Sequence, residues 1–354
     1  MGNLINYIET YGTYSFEERP FNDIDNLILS QLSYLKYDGI VPGILEKKNG
    51  IKLLDILTHP DRYKMFTDER YKVVNRSLFE ALVFSRRFQT MRLNHYIQIT
   101  DTKKESQFSA VTFFLDGGNI YLAYRGTDET IVGWKEDFNM AFLSPVPAQE
   151  EGLKYLNLVG KKLKQPFFVG GHSKGGNIAV YASMKCEPAI KEKIRAIYNN
   201  DGPGFRKEVF DEKGFEQIKD KLIKLVPQSS LIGMLLQNQE EYQVIRSTGK
   251  GGIGQHDPFT WEIKDDSFIF VEDIDKGHKR LNERLNEWVA GLDEKQIKTF
   301  VDTLYQLISI TEANTLMDLS DEWKDNAIKI AGAFKDVDGE TKRVLKDIIA
   351  ALFL

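Results

Sequence analysis

The chain has 354 residues, a formal net charge of -5, and 42% hydrophobic against 28% charged residues. That balance supports a packed core and excludes a disordered chain. The mild acidity gives no electrostatic footprint for phosphate backbones, so nucleic acid is not expected as a partner. The single cysteine, Cys186, excludes an intramolecular disulfide and a thiolate metal cluster and reads as a packed residue.

The N-terminal MGNLINYIETYG has neither a basic n-region nor a long apolar h-region, and no stretch reaches the roughly 18 apolar residues of a membrane span. A cytoplasmic protein without a transmembrane segment is therefore expected. Residues 1–90 read as a helical N-terminal extension packed on the core. In FNDIDNLILSQLSYL, residues Ile24, Leu27, Ile28, Leu32 and Leu35 recur at helical spacing after a cap at Asn22 or Asp23. A second helix is expected in TDERYKVVNRSLFEALVFSRRF, with an apolar stripe of Val73, Val74, Leu78, Leu82 and Val83.

The period then changes. HYIQITD, SAVTFFL and NIYLAYRG read as strands, the last two joined at Asp116-Gly117-Gly118-Asn119, a hairpin signal. Two helices follow, in TIVGWKEDFNMAF and AQEEGLKYLNLVGKKLK. Next come the apolar strand Phe167 to Gly170, a small-residue helix, and strands in IRAIYNN, IKLV and YQVIRS. Strands alternating with helices predict an α/β core over 91–275, its sheet mostly parallel and covered by helices on both faces. A helical block is expected over 276–354. It opens on the stripe Leu281, Leu285, Trp288 and Val289, and Asp293 with Gln296 forms a capping box for the next helix. The apolar tail AALFL is the segment left open for contact with a partner or a membrane surface.

The chemistry-bearing stretch is FFVGGHSKGGNIAVYAS. It contains Gly171-His172-Ser173-Lys174-Gly175, a G-x-S-x-G pattern between an apolar strand and a helix. A nucleophilic serine at such an elbow adopts a strained backbone, and glycine two residues on either side removes the collision of side chains there. The N–H of Lys174, at a helix N-terminus, would face a developing oxyanion. A second donor is expected from Tyr124-Arg125-Gly126-Thr127, where Gly126 permits a sharp exit from the strand and Thr127 offers an N–H and a hydroxyl.

YRGT followed by Trp134 and Asp137, and then GGHSKGG, resembles the class 3 lipase family of α/β-hydrolases over about residues 85–260. FNDIDNLILSQLSYL, NNDGPGF and QHDPFTW also resemble an uncharacterised bacterial family of lipase-like proteins. The resemblance implies an α/β-hydrolase fold with Ser173 as nucleophile and Thr127 and Lys174 as the oxyanion hole. It makes Trp134 and Asp137 structural supports.

In that fold the order is Ser, acid, His, which excludes His59, His95 and His172 as the base. His172 is read as bracing the elbow. His256, in the glycine-rich GGIGQHDPFTW, is favoured over His278, which reads as solvated surface on a charged helix. The acid has three readings. Asp201 follows strand IRAIYNN and either orients the base or merely forms an Asx turn before Gly202-Pro203-Gly204. Asp257 adjoins His256. Otherwise the site is a Ser-His pair, since class 3 lipases more often place the acid after the next strand, where Val226 to Leu231 hold no carboxylate. The Lys174 side chain is read as reaching solvent.

No phosphate loop and no H-E-x-x-H or C-x-x-C spacing occurs, so no cofactor or metal is expected. The expected function is a serine esterase or lipase acting on a small or lipid-like carboxylic ester. The alternative is a catalytically weak or inactive lipase-like binding module.

Overall fold

The computed structural model describes residues 2–67, 71–101, 106–127, 145–205, 210–236 and 241–293, with short helical stretches between 295 and 347. Trp134, Asp137, the expected helix TIVGWKEDFNMAF and the apolar tail lie outside the described residues.

Helices α1 (Leu4–Tyr11) and α2 (Asp23–Leu32) are followed by the short strand β1 (Ile51–Lys52), α3 (Leu53–Ile56) and α4 (Lys72–Phe84). The antiparallel run β2 (Arg92–Asp101), β3 (Ser106–Phe114) and β4 (Ile120–Tyr124) comes next, with the expected turn at 116–119 between β3 and β4. After α5 (Pro147–Lys162) come β5 (Phe167–His172), α6 (Lys174–Lys185), α7 (Pro188–Lys191), β6 (Ile194–Asn200), α8 (Glu212–Glu216), β7 (Leu222–Pro227) and β8 (Gln243–Ile245). The chain continues through α9 (Gly251–His256), the small hairpin β9 (Ile263–Lys264) and β10 (Ser267–Phe268), β11 (Phe270–Val271) and α10 (Lys276–Ala290).

Among the described residues one sheet carries nine strands, in the order β1-β2-β3-β4-β5-β6-β7-β8-β11. Strands β4 to β8 are mutually parallel, and antiparallel strands flank them on both sides. Because the parallel strands follow one another in a single direction, right-handed crossovers place α5, α6 and α8 on the same face. That face packs Leu122, Tyr124, Val169 and Ile197 of the sheet against Leu156, Ile178 and Phe215 of those helices. The side-chain alternation of the strands sends Tyr121, Ala123 and Tyr198 the other way, onto a core built from α1, α2 and α4. The N-terminal helices thus supply the cover that the crossovers cannot.

Helix α2 starts at the expected cap. Asn22 Oδ1 accepts from the N–H groups of Ile24 and Asp25, and Asp25 Oδ2 accepts from Asn22 N. Every residue from Ile24 to Leu32 is buried, so its polar side chains need internal partners. Asp25 pairs with Arg87, Gln31 with Asn75, Ser30 with Tyr121 and Asn26 with Asn200.

Helix α4 differs from its expected stripe. Val73 is 76% exposed, and the inward face runs through Asn75, Leu78, Phe79, Leu82 and Val83. The helix begins only at Lys72, and its inward spacing of three and four residues starts at Asn75. The Asp293–Gln296 capping box is present, with both reciprocal bonds at 2.8 Å. Cys186 is buried at the end of α6, and burial pushes its thiol up to about 11. Among the described residues no helix is long and apolar enough to cross a membrane.

Candidate active site

Parallel register lines up the C-terminal ends of the central strands: Tyr124 beside Gly171, His172 beside Asn200, Asn200 beside Leu225 and Pro227 beside Ile245. Each strand exit delivers polar residues to this edge. Thr127 follows β4, Ser173 follows β5, Asp201 follows β6, Ser229 and Ser230 follow β7, and His256 ends the helix after β8. Ligand sites of open α/β sheets form outside these ends.

Ser173 stands between β5 and α6 with φ 57° and ψ -129°. Such a backbone costs of order 1–3 kcal/mol in a non-glycine residue and persists only when its surroundings enforce it. The enforcement is visible in the two flanking glycines. A methyl group on Gly175 would lie 2.1 Å from the Tyr124 carbonyl oxygen, and one on Gly171 would lie 2.5 Å from that same oxygen. The elbow is therefore pressed directly against the end of β4. Gly126 is equally confined: a methyl group there would meet Tyr34 Oη at 1.9 Å and the His172 carbonyl oxygen at 2.8 Å. This brings the YRGT segment, with the buried Thr127 behind it, alongside the elbow.

Asp201 also has positive φ, 52°, and is buried. Its Oδ2 lies 2.5 Å from His256 Nδ1. Its Oδ1 accepts a 2.5 Å bond from Ser230 Oγ. The Asx turn before Gly202-Pro203-Gly204 is made by Asn199, whose Oδ1 accepts from Gly202 N at 2.8 Å, which leaves the Asp201 carboxylate to the imidazole. Asp257 does something else, since its carboxylate accepts from Phe259 N and caps the turn at 258–260. The expected acid position after β7 contributes a hydroxyl rather than a carboxylate, and that hydroxyl, of Ser230, donates to the Asp201 carboxylate.

His256 closes a short helix, since the glycine-rich GGIGQH is helical and not an irregular connection. Its terminal carbonyls are taken up by tertiary contacts. Thr260 Oγ1 donates to Gly254 O at 3.2 Å, Trp261 Nε1 to Gln255 O at 2.8 Å, and His172 Nε2 to His256 O at 2.8 Å. The His172 and His256 rings lie 4.5 Å apart. His172 is buried and receives the Tyr34 hydroxyl on Nδ1 at 3.1 Å. Burial holds its pKa well below the ordinary imidazole range. Among the described residues the Ser173 hydroxyl makes no hydrogen bond, to His256 or to any other group. Such bonds often tighten only when substrate binds.

The Lys174 side chain corrects one expectation. It is buried, and its Nζ donates to the Gln107 carbonyl at 3.1 Å instead of reaching solvent. His278 is half-buried on α10, and loss of hydration lowers its pKa.

Sequence reasoning missed Tyr34, Ser230 and a buried polar network behind the elbow. There Asn200 Nδ2 donates to Asn26 Oδ1, Ser30 Oγ and the Gly171 carbonyl at 3.0–3.1 Å. The polar residues Asn26 and Ser30, one helical turn apart in an otherwise apolar stretch, were the available signal. Among the described residues no group of three or more His, Cys, Asp or Glu side chains could hold a metal ion.

The profile of the Mbeg1-like family matches residues 82–306, a span that contains every strand-end residue named above. This chain belongs to the Mbeg1-like family. No curated protein matches this Mbeg1-like chain. Among solved structures, the crystal structure of M37 lipase is similar to it, with 15% identity, a TM-score of 0.36, and coverage of 58% of this chain and 67% of that one.

Proposed function

We propose that this protein is a cofactor-independent serine hydrolase of carboxylic esters, built on an α/β-hydrolase fold of the class 3 lipase kind. The observation that carries this reading is the 2.5 Å contact between Asp201 and His256, formed beside a serine held at φ 57° between a strand and a helix. Chain order Ser, Asp, His and the strand-end positions of Ser173 and Asp201 support it.

Ser173 Oγ attacks the ester carbonyl while His256 Nε2 takes its proton. The N–H groups of Thr127 and Lys174 receive the oxyanion. Asp201 holds the Nδ1–H tautomer and balances the imidazolium. Collapse of the tetrahedral intermediate breaks the C–O bond, and His256 returns the proton to the leaving alkoxide, which departs as the alcohol. Water then adds to the acyl-serine with His256 again as base, releasing the acid and restoring Ser173.

The second reading, a lipase-like binding module with weak or no catalysis, draws on the unbonded Ser173 hydroxyl. One experiment separates the two. The folded protein is treated with a fluorophosphonate probe and assayed on p-nitrophenyl esters of increasing acyl length. Labelling and turnover that both vanish in Ser173→Ala support the hydrolase. A folded wild type that neither labels nor turns over supports the module.

A further inference from the structure

We propose that His172 is a positioning residue for the reaction, holding the backbone of His256 so that the general base keeps its place on Asp201. This rests on the hydrolase reading above and gives a role to a buried imidazole that the chemical steps do not use.

Helix α9 has six residues, too few to be stable alone. Its last carbonyls must therefore be satisfied from outside. Thr260 and Trp261 satisfy two of them, but both lie a few residues further along the same segment and travel with it. The third, at His256 itself, is held by His172, which belongs to the nucleophile strand. Among the described contacts this bond ties the backbone of the base residue directly to the residue preceding Ser173. Gln255 Oε1, accepting from Ser229 N at 2.9 Å, and the His256 side chain on Asp201 tie α9 to the sheet edge through side chains of the helix itself.

The protonation state follows from the partners. A carbonyl only accepts, so His172 Nε2 carries the hydrogen. Nδ1 then offers its lone pair, which the Tyr34 hydroxyl fills. Both nitrogens are occupied in the neutral ring, which removes His172 as an acid or base. Neutrality also suits its location: its ring lies 4.5 Å from that of His256, and a second cation there would oppose the imidazolium that forms when Ser173 is deprotonated. Tyr34, just beyond α2, thereby connects the N-terminal segment to the base through one intervening ring.

The test uses the full-length protein and three variants. His172→Phe keeps an aromatic ring but loses both nitrogens. His172→Gln keeps a donor for the His256 carbonyl. Tyr34→Phe removes only the hydroxyl. Two quantities are measured: steady-state hydrolysis of p-nitrophenyl butyrate, and amide hydrogen exchange of the 251–256 segment by mass spectrometry.

For His172→Phe, kcat should fall about 10- to 100-fold, since small misplacements of a catalytic group are this costly. KM should stay within a factor of about two, and residues 251–256 should exchange faster while β4 to β6 remain protected. His172→Gln should recover most of the loss. Tyr34→Phe should lower kcat by about 3- to 10-fold, the effect of one lost hydrogen bond. Unchanged exchange at 251–256 in His172→Phe, or in Tyr34→Phe should the first variant not fold, overturns the proposal whatever the rates. If wild type shows no turnover and no fluorophosphonate labelling, the hydrolase reading fails, and the exchange data still decide whether His172 holds α9.

Discussion

Ser230 Oγ and His256 Nδ1 grip opposite oxygens of one carboxylate, each at 2.5 Å from Asp201. The two groups come from different strand exits, and the acid that joins them comes from a third. Asp201→Asn should leave the fold intact and lower kcat on p-nitrophenyl esters by about 10²- to 10⁴-fold, because the amide imposes the wrong imidazole tautomer. Ser230→Ala should lower it by only about 3- to 10-fold, since one oxygen loses one partner. An Asp201→Asn enzyme near wild-type turnover, beside an inactive His256→Ala, would remove Asp201 from the triad.

The elbow's sterics predict a contrast between two glycines. In Gly175→Ala the new methyl group would lie 2.1 Å from the backbone oxygen of Tyr124, which cannot swing away as a side chain would. That overpacking should cost about 1–3 kcal/mol or more and lower Tm by several degrees. Among the described residues Gly277, in the first turn of α10, has nothing within 4 Å of such a methyl group. Gly277→Ala should be neutral or stabilising by up to about 1 kcal/mol. Thermal unfolding of both variants checks the pair.

The buried ion pair between Arg87 and Asp25 should matter for both stability and activity. The side chains are 1% and 0% exposed, and Arg87 also donates to the carbonyls of Ser15, Arg19 and Pro20. Removing either partner leaves an uncompensated buried charge, so Asp25→Ala or Arg87→Met should cost about 3–5 kcal/mol by urea unfolding. Because the same helix carries Asn26 and Ser30 to the back of the elbow, ester turnover should fall well below the unfolding midpoint. A loss under about 1 kcal/mol would contradict this reading of the pair.

Acid sensitivity should trace in part to His95. Burial, helped by the Lys162 charge, lowers its pKa to about 4 in the folded protein. The unfolded chain binds the proton near pH 6.5. Between these values the unfolded state holds more protons than the folded one, so stability declines as pH falls from about 6.5 to about 4. His172, neutral and buried, acts in the same direction. His95→Asn keeps a residue tolerant of φ 54° and removes the titration. Its drop in Tm between pH 7 and pH 5 should be smaller than that of wild type; an equal drop would place the acid lability elsewhere.

Features that depend on near neighbours in the chain are readable before folding. The apolar Phe167 to Gly170, the two glycines around Ser173 and the small residues after it dictate strand, elbow and helix together, because collisions between groups a few residues apart decide that backbone. Asn22 as a cap and Asp116 to Asn119 as a turn belong to the same class. Asp201 is legible as a carboxylate at a strand end, but the sequence leaves open whether it forms a turn or faces an imidazole. Only the register of β5, β6 and β7, with α9 folded back over their ends, turns it toward His256 and brings Ser230 beneath it. Lys174, Val73 and the polar face of α2 escape a reading of the sequence for one reason. Solvent exposure is settled by which distant elements pack together. A stripe of residue types defines an inward direction for a helix, whereas the sheet beneath it and the layers around it determine which side chains lose water and which partners they must then find.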